Sequence, residues 1–293
     1  MNLDRRQLAV LALLTLVWGL NWPVMKLGAT QFPPLTFRTV SMWLGLPVLA
    51  VVLVWQRVPF TIARQHWGEL LSLTVANMLV WHVLAILAVR ELSSGRAAIL
   101  GYTMPIFAAS WAWLLYGERL TGRGAAGIAA AAFGVGLLLW HELTALAGRP
   151  LWAAVMLFAA AAWAYGTHRL RRTAIDAPTL TISFWMTALT TLVMTLLAVA
   201  FEHDAWHAPS PTVWAAIVYN GLLIFAFAQP AWFFLARSLP PLASTLSVMM
   251  IPVLGVVSGA WWLGETLHWQ DFAAIVLLLA AIASVLLPQR APR

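Results

Sequence analysis

From its first residues to its last, this chain is a succession of continuous apolar runs with almost nothing between them. Ten such runs can be drawn, at about 7–27, 34–55, 67–89, 94–116, 122–140, 151–169, 178–201, 212–236, 241–263 and 269–288. Each is close to the roughly 20 residues that a helix needs to cross a bilayer. Of the 293 residues, 62% are hydrophobic and only 9% charged, against about 25% charged in an ordinary water-soluble domain. Such a chain cannot clothe itself in polar surface, so its solvent is lipid. The runs do not alternate polar with apolar residues, which excludes a β-barrel. The expectation is an all-α polytopic membrane protein forming a single membrane domain over 1–293. The first run, behind Asp4, Arg5 and Arg6, has no small-residue cleavage pattern and reads as a retained helix, not a signal peptide.

The net charge of +7 has the sign of a nucleic-acid binder, but its placement says otherwise. Arg5, Arg6, Arg57, Arg64, Arg119, Arg123, Arg169, Arg171, Arg172, Arg237, Arg290 and Arg293 fall at the amino terminus and in every second connection after it. Lys26, Arg38, Arg90, Arg96 and Arg149 fall on the other side. Basic residues gather on the cytoplasmic face, so both termini are expected in the cytoplasm and no nucleic-acid partner is implied. There is no cysteine, and no protease, hydrolase or phosphate-loop motif. No catalytic residue, metal or cofactor is expected, and nothing in the sequence fixes an oligomeric state.

The chain repeats itself. PIFAASWAWLLYGERL begins at Pro105 and PVLGVVSGAWWLGETL begins at Pro252, 147 positions on. At that offset Arg90 meets Arg237, Leu92 meets Leu239, and His82 meets Gln229. Near the start of each half an offset of 145 aligns Trp18 with Trp163 and Pro33 with Pro178. Repeat one is drawn at 1–147 and repeat two at 148–293. Five helices per copy put the second copy in the membrane upside down, an arrangement suited to alternating access around a site at the repeat interface.

Polar and aromatic side chains within the spans are the candidates for that site, since such groups face a bundle interior or wet cavity. Trp18, Asn21, Trp22 and Met25 share one face of the first helix, with Pro23 expected to open it. Asn77, Trp81 and His82 follow in the third, Tyr102 in the fourth, Trp163 and Tyr165 in the sixth and Gln229 in the eighth. Trp185 and Asn220 are weaker candidates. No other ionisable group lies near a helix middle, and His82 suits either substrate contact or proton transfer. Pro105 and Pro252, at equivalent positions, are expected to kink their helices as hinges or gates. Glu118 and Glu265 are expected to stabilise the start of the helix that follows each. The run RGAAGIAAAAFGVG reads as a small-residue packing surface.

The WGLNWPVMKLG of the first helix, the PPLTFRTV of the second with Arg38, and the doubled Pro…Gly-Glu-x-Leu together resemble the EamA branch of the drug/metabolite transporter superfamily. Within it the chain looks most like YddG-type exporters of aromatic amino acids. The resemblance implies a bacterial inner-membrane transporter that exports amino acids, aromatic and other neutral ones, and related metabolites through a central cavity lined by both halves. Ser183 stands where Arg38 would repeat, so any role of Arg38 is single. With 18 tryptophans in the chain, a cavity walled by Trp18, Trp22, Trp81 and Trp163 could stack a planar side chain. It could equally hold a cation over a ring, which keeps a multidrug exporter of amphiphilic drugs as the alternative. A non-saturable channel is the reading from another class.

Overall fold

The computed structural model describes residues 5–117, 122–144, 149–238 and 250–286, and among them every regular element is helical. The helices are α1 (Arg5–Gln31), α2 (Pro34–Trp55), α3 (Trp67–Leu73), α4 (Val80–Glu91), α5 (Ser94–Gly101), α6 (Met104–Tyr116), α7 (Gly122–Thr144), α8 (Pro150–Arg171), α9 (Thr179–Glu202), α10 (Pro211–Tyr219), α11 (Gln229–Ser238), α12 (Ile251–Leu263) and α13 (Trp269–Leu286). Two π-helical segments, Thr74–Leu79 and Asn220–Ala228, join α3 to α4 and α10 to α11 without a break. Seven of the resulting rods are long and apolar enough to cross a membrane, and three shorter apolar helices lie at Ala125–Leu138, Ile251–Leu263 and Trp269–Ala281.

The polarity is inside out relative to a soluble bundle. Trp261 is 80% exposed and Phe201 75%, whereas Thr181, Ser183, Thr187, Thr190 and Thr191 of α9 are fully buried. Hydroxyls at these depths can return to their own helix: Thr190 and Thr191 donate to the carbonyls of Met186 and Thr187. An apolar rim around hydroxyl-lined contacts is what lipid solvent selects, because hydrocarbon offers no partner for a stray polar group. The small-residue run behaves as expected. α7 packs chiefly on α13, where Gly134 leaves room for Leu277 and Ala274.

Proline punctuates the helices differently from the sequence expectation. α1 continues unbroken through Pro23, with neighbouring helices supporting it around the missing hydrogen bond. Pro105 and Pro252 are not in helix middles but in the first turns of α6 and α12, where a missing N–H is harmless. Before Pro105 the fourth span breaks at Tyr102–Thr103, and Thr103 Oγ1 donates to the Leu100 carbonyl at 2.6 Å. α6 and α12 end alike, on Gly117 at φ 64° and Gly264 at φ 65°, the left-handed closing residue that glycine supplies without a Cβ clash. This is the structural content of the repeated Gly-Glu pair.

Glu265 does not serve the helix that follows it. Its carboxylate accepts from Ser94 N (2.6 Å), Ser94 Oγ (2.8 Å) and Gly95 N (3.2 Å), closing the amino end of α5 in the other repeat. α13 has its own provision: Asp271 accepts from the His268 backbone at 2.8 Å and pairs with Arg96 at 3.1 Å. Glu202 repeats the device on α2, accepting from Leu35 N, Thr36 N and Thr36 Oγ1. Anionic oxygens there complement both the free N–H groups and the positive end of the helix dipole. Glu118 lies outside the described residues.

Candidate substrate site

The stripe on α1 faces inward as its spacing requires. Asn21, Trp22 and Met25 are buried and Trp18 is half-buried. Trp18 leans on Trp232 of α11 with ring centroids 5.4 Å apart, and Trp22 meets Tyr102 edge-on at 6.4 Å. A Cβ at Gly101 would come within 2.8 Å of the Trp22 ring and 3.3 Å of the Trp81 ring, so these two indoles converge over that glycine. Trp81 in turn lies 5.4 Å from Trp163, and Trp163 lies 6.4 Å from both His82 and Phe233. His82 packs on Phe225 at 5.1 Å. Trp18 and Trp163, matched in the repeat, each pack on rings of the opposite half, Trp18 on Trp232 and Trp163 on Trp81 and His82, in an aromatic cluster drawn from both.

On the same helices several buried polar atoms have no protein partner: Asn21 Oδ1, both ring nitrogens of His82, Gln229 Nε2 and Trp232 Nε1. An unpaired buried donor or acceptor costs about 1–3 kcal/mol, and such groups in a native fold call for an explanation.

Two candidates stand apart. Asn77 ties the third span to α8, donating to the Trp163 carbonyl at 3.2 Å and to Thr167 Oγ1 at 2.9 Å. Tyr165 faces away from Trp163, with its ring 5.8 Å from Trp111 and 6.0 Å from the Arg169 guanidinium. Two residues along a helix do not share a face, so this separation was readable from spacing. Of the weaker candidates, Trp185 packs with Trp67 and donates to the Phe60 carbonyl, remote from the cluster, whereas Asn220 joins it through Arg38.

Arg38 is the residue the sequence reading undervalued. Only one turn into α2, it was grouped with the charges of the membrane face, and helix interiors were taken to lack arginine. The side chain is 1% exposed and stands 5.6 Å over the Phe225 ring. The available signal was a charge followed by an unbroken apolar run, which marks function by default.

A model of the EamA-like transporter family matches residues 6–140 and again 150–287. The chain is 26% identical to the uncharacterized transporter YoaV of Bacillus subtilis (strain 168), over 90% of this chain and 89% of the relative. It is 25% identical to the uncharacterized inner membrane transporter YedA of Escherichia coli (strain K12), covering 94% and 88%. A probable amino-acid metabolite efflux pump of the same E. coli strain is 24% identical, covering 94% of each. One solved crystal structure shares the fold at a TM-score of 0.69 with 19% identity, over 94% of this chain and 96% of that one.

Proposed function

Because the chain belongs to the EamA-like transporter family, we propose that this membrane transporter exports amino acids, aromatic and other neutral ones, from the bacterial cytoplasm. The observation that carries the reading is the aromatic cluster drawn from both halves, Trp22, Trp81, Trp163 and Phe225, with the unpartnered ring of His82 packed against Trp163 and Phe225. Planar apolar walls favour a stacked side chain, and dispersed donors and acceptors suit a polar backbone. One relative bears the name of an amino-acid metabolite efflux pump and another that of an inner membrane transporter, which supports the substrate class and the inner membrane as the location.

The proposed architecture is ten spans in two inverted five-helix copies, 1–147 and 148–293, with both termini cytoplasmic. Substrate passes by alternating access as the copies exchange conformations. The break ahead of Pro105 and the helix start at Pro252 are the proposed hinges, and the Pro23 turn gives α1 a weak point in its hydrogen-bond ladder. Asn77 and Tyr102 hold the walls in place, while Tyr165 lies off the path.

Counterflow tests this directly. Labelled tryptophan should enter proteoliposomes preloaded with unlabelled tryptophan, saturably. Trp163→Ala and His82→Ala should each slow it by about tenfold or more, the loss of a stacking wall or a polar contact being about 1–2 kcal/mol. Tyr165→Phe should stay within about twofold of the parent rate. Well-folded protein that exchanges tetraphenylphosphonium but no amino acid would move the assignment to a cationic-drug exporter. Unsaturable flux without exchange would make it a channel.

A further inference from the structure

Resting on that transport reading, we infer that Arg38 is the carboxylate-recognising point of the path, so that the substrate carries one carboxylate. The guanidinium is held by neutral groups. Nη1 donates to Asn220 Oδ1 at 3.1 Å, Nη2 points at Met25 Sδ, and the plane rides over the Phe225 ring. Nε has no partner. Among the described residues no carboxylate pairs with Arg38. Glu202, the last residue of α9, already accepts three hydrogen bonds from Leu35 and Thr36 at the start of α2. A buried positive charge without an anion is costly. The forked guanidinium is shaped to receive both oxygens of a carboxylate.

The neighbours fit a substrate anchored there. Arg38 and His82 both contact Phe225, and His82 leads on to Trp163 and Trp81. A carboxylate at Arg38 therefore directs the remainder of a small molecule along indole faces. Repeat two offers Ser183 at the matching position, so the site provides for one carboxylate and not two.

The test is competition against tryptophan counterflow by matched pairs, tryptophan with tryptophanamide and indole-3-propionate with indole-3-propionamide. The parent protein should prefer each acid over its amide by roughly 10- to 150-fold, the span set by charge-assisted hydrogen bonds. Arg38→Lys should keep part of that preference, and Arg38→Gln should bring the ratio near one. If the parent exchanges tryptophan yet treats acid and amide alike, the Arg38 inference fails while amino-acid transport stands. An unaltered ratio in an active Arg38→Gln protein overturns it too. If Arg38→Gln does not fold, the parent ratio and Arg38→Lys decide. Exchange of tetraphenylphosphonium but of no amino acid removes the transport reading and this inference together.

Discussion

Gly166→Val is expected to lower the unfolding temperature of the detergent-purified protein by about 10 °C. A Cβ at Gly166 would fall 2.5 Å from Asn77 Cβ, 2.6 Å from Asn77 Cα and 2.7 Å from Asn77 N. Two of those atoms are backbone, so no rotamer change relieves the clash and the third span must retreat from α8. The retreat also breaks the two hydrogen bonds from Asn77 to Trp163 and Thr167. Overpacking of this kind costs about 1–3 kcal/mol and each lost hydrogen bond about 1 more. A destabilisation of about 4 kcal/mol corresponds to a shift of about 10 °C at this chain length. Thermal melting monitored by size-exclusion chromatography reads it. A variant melting within about 2 °C of the parent would show that α8 and the third span are not held this closely.

Glu265→Ala is expected to come next, lowering the melting point by about 5–10 °C. The substitution strips three donors of their acceptor where α5 begins, at about 1 kcal/mol each. Glu265→Gln keeps one oxygen and should lose about half as much. An alanine variant as stable as the parent would mean that solvent serves the Ser94 end equally well, and that the contact between repeats contributes nothing to stability.

The span limits were open to sequence reasoning because they follow from local composition: the second was drawn at 34–55 and α2 runs Pro34–Trp55. The inward face of α1 was equally legible from spacing alone. What escaped was the identity of neighbours. Glu265 was assigned to the helix beside it in sequence, and only the packing of α5 against α12 brings Ser94 to it. Pro105 was read as a kink within one helix, but Tyr102 and Thr103 end α5 before the proline is reached. His82 and the indoles stand out in the sequence for their depth, whereas nothing in it distinguishes Phe225, Phe233 and Trp232, which tertiary contacts set against His82, Trp163 and Trp18. Side-chain chemistry is written locally, whereas helix rotation is set by packing.

The two π-helical segments give both halves a compliant point at the same place. Thr74–Leu79, moved by the 147-residue repeat offset, falls inside Asn220–Ala228. A π-turn is a helix that has absorbed one extra residue, and such bulges gather at functional positions. Both halves therefore loosen their helix in the same register, and His82 and Gln229 stand just past the widened turn at matched positions, where a helix can yield without losing its continuity.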